Sequence, residues 1–140
     1  ILVQYGKVSG EDTIALAEGL VRFAEEHGVD PKTARTLQVV LDDGTPVDAG
    51  ARTWPNTERI KAHLALFEAT GRDPRPAVAA SARLLLDQYL STPIPAVWLE
   101  RFTADGQPDA DDVPASTLYH IFLAFTEVLR LQDRIGSLGG

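Results

Sequence analysis

The sequence predicts an all-α fold of repeated αα-hairpins, with short β-hairpins in the long loops. Three observations carry this. Four segments place apolar residues at the 3.6-residue period of an amphipathic helix. Two connections share one pattern, an apolar run followed by Asp-Gly, which signals a hairpin when it falls between apolar runs. The second copy of that pattern trails the first by 62 residues (106 − 44 = 62), so helix, short turn, helix and hairpin occur as a repeat.

The first helix is expected from about Glu11 to His27, with Ser9 and Asp12 resembling a capping box and Gly28 as the stop. Its apolar stripe is Ile14, Ala17, Leu20, Val21 and Ala24. A short strand at 37–41 follows, then the turn Asp43-Gly44-Thr45-Pro46-Val47-Asp48. The second helix is expected from Pro55 to Thr70, capped by Thr53 or Trp54, ended by Gly71, and burying Ile60, Leu64 and Phe67. The third opens at Asp73-Pro74, with Pro at the first helical position, and carries Leu84, Leu85 and Tyr89 until Pro93 and Pro95 forbid its continuation. Residues 98–102 read as a second strand, followed by Asp105-Gly106-Gln107-Pro108-Asp109. The fourth helix starts at Pro114, runs through Leu118, Phe122, Phe125 and Leu129, and stops at Gly136.

An αα-hairpin cannot bury its inner face alone. Stacking such units around a ring buries it, with short turns on one rim and long functional loops on the other. The chain supplies about two units. It is therefore expected to be part of a toroid, or a short solenoid that covers its open sides by association. Residues 1–140 are read as a single partial domain of a longer chain, because Ile1-Leu2-Val3 is an apolar run with no element before it and Met is absent. The tail 136–140 reads as a frayed end.

Composition excludes several function classes. Hydrophobic residues at 44% and charged residues at 24% suit a packed domain rather than a disordered chain. The net charge of −7 and the scattering of the 13 basic residues argue against a nucleic-acid or membrane-surface partner. With no cysteine, disulfides, thiolate metal sites and Cys nucleophiles all fall away. No apolar stretch approaches the ~20 residues of a membrane span, and a cytoplasmic protein is expected.

The chemistry-bearing residues cluster at the long-loop rim. Trp54 and Glu58 are four apart, one above the other at the start of a helix. An aromatic plate beside a carboxylate suits a sugar: the ring stacks on C–H faces and the carboxylate accepts hydroxyl hydrogens. The alternative is a Trp filling the core and a Glu favouring the helix N-terminus. His120 sits near the start of the fourth helix, and a partly buried imidazole serves as a base near neutral pH or as a hydrogen-bonded core residue. Repeat symmetry favours the first role, since Ser116-His120 stands where Trp54-Glu58 stands one repeat earlier. His27 and His63 pair with no second ligand type, and the aspartates at 105–112 lack the order of a calcium loop. No metal site and no cofactor are therefore expected.

The sequence here resembles the N-acylglucosamine 2-epimerase and mannose isomerase superfamily, over about Ile14 to Leu131. Leu16-Ala17-Glu18-Gly19-Leu20 with His27-Gly28-Val29-Asp30 resembles the helix before the family's first hairpin. Arg52-Thr53-Trp54-Pro55-Asn56-Thr57-Glu58 is similar to its Trp-Pro-Gln-Thr-Glu signature, with Asn56 in place of Gln. Pro114 to His120 resembles the segment ending in Tyr-His, whose His is one of the family's two catalytic acid/bases. The resemblance implies the C-terminal portion of an (α/α)6 toroid and an aldose–ketose isomerase of the mannose or mannose-6-phosphate type, with 2-epimerase as the alternative. It implies a catalytic His120 and sugar contacts from Trp54, Glu58, Ser116 and Arg52. The family's other catalytic His and its carbonyl-polarising Arg have no counterpart motif in this sequence.

The expected partner is a small sugar, with a homo-oligomer or the remainder of the same barrel covering the open flanks. A non-catalytic glycan- or partner-binding module is the reading from another class. A glycoside hydrolase needs two placed carboxylates, and Glu58 is the one the pattern supplies.

Overall fold

Five helices form among the described residues, one more than hydrophobic periodicity predicts. The structure, a computed structural model, describes residues 1–138; Gly139 and Gly140 of the expected frayed tail lie outside the described residues. The extra helix, α1 (Leu2–Ser9), accounts for the apolar run at the start of the sequence and stops at Gly10, whose φ is 78°. α2 (Ile14–His27) begins three residues later than expected. The Ser9–Asp12 capping box does not form: Ser9 accepts the Glu11 N–H and Asp12 accepts the Ile14 N–H, two separate local turns.

α3 (Thr53–Thr70) starts with Thr53 already helical and Arg52 extended before it, which places Pro55 in the first turn where its missing N–H costs nothing. Gly71, with φ 78°, ends it. α4 (Arg75–Leu84) has Pro74 one residue before the helix rather than at its first position, and runs on into a π-turn at Leu85–Tyr89. α5 (Ala115–Gly136) follows Pro114, and Gly136 is its last residue.

The first predicted hairpin is present, with β1 (Val39–Val40) antiparallel to β2 (Pro46–Asp48). The second differs. β4 (Arg101–Phe102) pairs with β3 (Ala51–Arg52), supplied by the linker that enters α3, and meets its own loop at one bridge, Phe102 to Pro108. Ala51 and Phe102 are both buried, so this cross-repeat pairing gains apolar contact, and Pro108 has no N–H with which to extend a ladder. The repeat is otherwise kept to the residue. Thr53 and Ala115 open α3 and α5, Gly44 and Gly106 have φ of 87° and 85°, and Ala34 and Ala96 have φ of 61° and 63°, each pair 62 positions apart.

α3 is the hub of the core. Its Ile60, Leu64 and Phe67 pack with Leu85 and Tyr89 at the end of the α4 arm and with Ala124 and Leu131 of α5. A smaller cluster joins Val3, Ala17 and Leu66 from α1, α2 and α3. Of the stripe expected on α2, Ala17 is buried while Leu20 and Ala24 are exposed, because the inner side of α2 meets little beyond α1 and α3. On α5, Leu118, Phe122 and Leu129 are exposed as well. Phe122 and Leu129 stand 62 positions after Ile60 and Phe67, which α5 helps to cover, so this flank is the open counterpart of the α3 face.

Two side chains, Asn56 and Arg59, pair most of the polar groups that this core encloses around α3. The fully buried Asn56 accepts the Thr36 N–H and hydroxyl, and its amide donates to the Arg52 carbonyl and toward the Tyr89 hydroxyl, which burial pushes up to about 12. One side chain thus ties the first loop, the start of α3 and the end of the α4 arm. Arg59 forks onto Glu25 at 2.6 and 2.7 Å, His63 meets the same carboxylate at 2.9 Å, and Arg59 also donates to Ser81 of α4. Burial raises the Glu25 carboxyl, but the hydrogen bonds from His63 and Arg59 outweigh it and hold the group at about 2. Gly44 closes the first turn against the His27 ring, where a Cβ would collide with the imidazole.

Asn56→Ala should lower stability by about 2–3 kcal/mol, since it strands buried partners in three segments, and urea unfolding measures it. Glu25 is stabilising above its ordinary value of 4.5, and this share is lost as pH falls towards 2. Glu25→Gln should therefore cost about 1–2 kcal/mol at pH 7, after discounting for solvent screening. The gap from wild type should close towards pH 2 in thermal melts. Replacing Phe122 and Leu129 together by Lys should change the melting temperature little in thermal melts followed by circular dichroism, because both side chains are exposed.

Candidate active site

Side-by-side packing of α3 and α5 in the same repeat register brings equivalent positions face to face. At the short-turn end, Arg130 meets Glu68 at 2.6 Å across 62 residues of sequence. At the long-loop end the same offset joins Glu58 of α3 to His120 of α5, with His120 Nδ1 2.6 Å from Glu58 Oε1. A carboxylate only accepts, so Nδ1 carries the hydrogen and donates, which in the neutral ring puts the lone pair on Nε2. Lys61, one turn further along α3, places Nζ 2.6 Å from the same Oε1. The carboxylate is therefore held from two sides. The three side chains are between 20% and 39% exposed, dry enough to hold a geometry and open enough to meet a solute.

Aromatic rings frame the imidazole. Trp54 lies 5.8 Å from the His120 ring at 37°, and Tyr119 lies 4.0 Å from it at 30°. Trp54 is 41% exposed and Tyr119 is 53% exposed, in contrast to Trp98, which is buried and donates to Glu100. Trp54 is thus not a core plug. It presents an apolar plate beside a charged, hydrogen-bonding pair, the arrangement that suits the C–H face and hydroxyls of a sugar.

The residues expected from sequence divide in two. Trp54, Glu58 and His120 come together. Ser116 is exposed one turn before His120 and makes no side-chain hydrogen bond among the described residues. Arg52 lies apart, in a polar cavity of about 260 Å³ shared with Asp48, Arg101 and Asp109 beside the β3–β4 pair. Its Nε is buried without a partner. A second cavity of about 220 Å³ runs between α2 and α3, walled by Val21, Ala24 and Ala62 and reached by Trp54 and Glu58.

The other histidines sit elsewhere. His63 faces Glu25 rather than Glu58, and His27 packs on Phe23. Among the described residues no group of three or more His, Cys, Asp or Glu is placed to hold a metal. None of their helices is long and apolar enough to cross a membrane.

Lys61 and Tyr119 were not singled out from the sequence. The signal for Lys61 was present in its i, i+3 spacing from Glu58, which reads as an ordinary surface pair until α5 delivers His120 to the same oxygen. Tyr119 is a neighbour in sequence, and its stacking depends on a rotamer that spacing does not determine.

The description N-acylglucosamine 2-epimerase (GlcNAc 2-epimerase) matches residues 1–124. A curated protein of Rhizobium meliloti (strain 1021), named mannose-6-phosphate isomerase, is 32% identical over 132 residues, covering 91% of this chain and 34% of that protein. Among solved structures, a D-mannose isomerase superposes with a TM-score of 0.79 at 24% identity, covering 92% of this chain and 34% of its own. A cellobiose 2-epimerase from Spirochaeta thermophila DSM 6192 gives a TM-score of 0.77 at 22% identity, covering 94% and 36%. The chain thus spans about a third of the length of these relatives, and its fold is that portion of an (α/α) toroid.

Proposed function

The chain belongs to the N-acylglucosamine 2-epimerase family, and we propose from the Glu58–His120 pair that it supplies one acid/base group of a sugar isomerase site. The mannose or mannose-6-phosphate aldose–ketose reaction is the reading favoured, because the relative at 32% identity bears that name. The observation that carries the reading is the anchoring of Nδ1 by a carboxylate beside an exposed Trp, which makes Nε2 the ring nitrogen left to exchange a proton next to an apolar plate.

In the proposed reaction the open-chain aldose lies against Trp54 with C2 near His120 Nε2. The imidazole takes the C2 proton, and the C2–H electron pair becomes the C1–C2 double bond of an enediolate as the carbonyl oxygen gains charge. Glu58 holds the neutral imidazole in one tautomer and stabilises the imidazolium that forms. Return of a proton to C1, with transfer of the O2 hydroxyl proton to O1, gives the ketose. Return to the other face of C2 gives the epimer instead. That is the second reading, favoured by the family description and by the similarity to a cellobiose 2-epimerase. The proton-returning group and the donor that stabilises the oxyanion are proposed to come from outside this portion of the toroid. Ser116 is proposed as a hydroxyl contact, and Arg52 as a contact for a more distant part of the substrate.

Proton NMR of mannose, mannose 6-phosphate and N-acetylglucosamine in D2O tests this, with the chain alone and with the rest of the barrel restored. Loss of the C2 proton signal is expected with at least one sugar, and His120→Ala should slow it by about 10²–10⁴-fold. Fructose-type products identify the isomerase and inverted C2 the epimerase. No exchange in either form, with sugar binding retained, would leave a glycan-binding module in its place.

A further inference from the structure

We propose that Lys61 is a positioning residue for His120, setting the pH range in which the imidazole is free to accept a proton by sharing the Glu58 carboxylate with it. The inference rests on reading His120 as the base. Its evidence is geometric: Lys61 Nζ and His120 Nδ1 both lie 2.6 Å from one oxygen, Glu58 Oε1. Lys61 comes from the same helix as Glu58, one turn on, and its side chain is 23% exposed, so it is confined against the carboxylate rather than free in solvent.

Two electrostatic effects of this arrangement act in the same direction. A carboxylate alone beside an imidazole favours the imidazolium, because opposite charges attract at short range. Lys61 neutralises much of that carboxylate, which weakens the pull. Its ammonium also sits close enough to repel the imidazolium directly, since both nitrogens touch the same atom. A base that was held protonated by Glu58 could not abstract a C–H proton. With Lys61 present, Glu58 still receives the Nδ1 hydrogen and orients the ring, while the charge that would lock a proton on Nε2 is offset.

The groups facing His120 are few. From α3 they are Glu58 and Lys61, with Trp54 as an uncharged ring, and from its own helix Tyr119 stacks on it. Among the described residues no other charged side chain is paired with the imidazole. Arg59 is adjacent in sequence to Glu58 but is committed to Glu25 and Ser81 on the other side of α3.

The test is a titration of the His120 ring protons by NMR in the intact chain, with the signal assigned by its loss in His120→Asn. In Lys61→Met the midpoint should move up by about half a unit to one unit, and in Lys61→Arg it should return to the wild-type value. Glu58→Gln should move it down. The His27 and His63 signals should stay in place, which separates this effect from a change of fold. Where sugar exchange is measurable, the acid limb of its pH profile should shift upward in Lys61→Met with KM little changed. A His120 midpoint in Lys61→Met that is unmoved or lower overturns the inference. Absence of exchange with every sugar overturns the catalytic reading, and the ring titration still decides the role of Lys61.

Discussion

Burial of α3 on several sides at once is the constraint on which the rest of the molecule depends. Every other helix packs against it, so its buried positions include Thr53, Asn56, Thr57 and His63 as well as the aliphatic stripe. A helix wrapped in this way cannot hide its polar residues on a solvent face, and each must find a partner. Thr53 donates to the Leu99 carbonyl, Thr57 to the Trp54 carbonyl, Asn56 to two segments, and His63 faces Glu25. These bonds tie the loops to the start of α3, and that start carries Trp54 and Glu58.

The same constraint builds the site. Because α3 and α5 are successive copies of one unit, their packing aligns residues of equal repeat position, and a carboxylate on one copy meets an imidazole on the next. The conserved geometry of the two copies, down to the positive φ of Ala34 and Ala96, keeps the helix starts level. The chemistry is then asymmetric on a symmetric frame: the position that is Glu58 in one unit is His120 in the other. Ligand chemistry needs such a difference, since two carboxylates or two imidazoles at 2.6 Å would repel when charged rather than define a base and its anchor.

Particular residues show where sequence reasoning held and where it could not. Gly71 and Gly44 were readable as stops and turns because both need a left-handed backbone that other residues resist. Pro114 and the pairing of Trp54 with Glu58 on one helix face were readable from spacing alone. The capping role of Ser9 was misread because a short polar side chain satisfies whichever N–H the chain brings nearest, and α1 ended too close to allow a shared cap. The pairing of β4 with β3 was not readable, because a two-residue strand has no register of its own and pairs with whatever buried edge lies beside it.

The sequence by itself determined four of the five helices, the repeat and the residue types at the long-loop rim, since periodicity, Gly and Pro act locally and their effects survive in any context. Tertiary structure alone decided which side chains meet. Helix α5 had to lie beside α3 before His120 could find Glu58, before Lys61 could become a third member of that group, and before Arg52 could be set apart in its own cavity. Those outcomes depend on contacts between residues some sixty positions apart, whose positions follow from how whole helices pack rather than from any local preference of the chain.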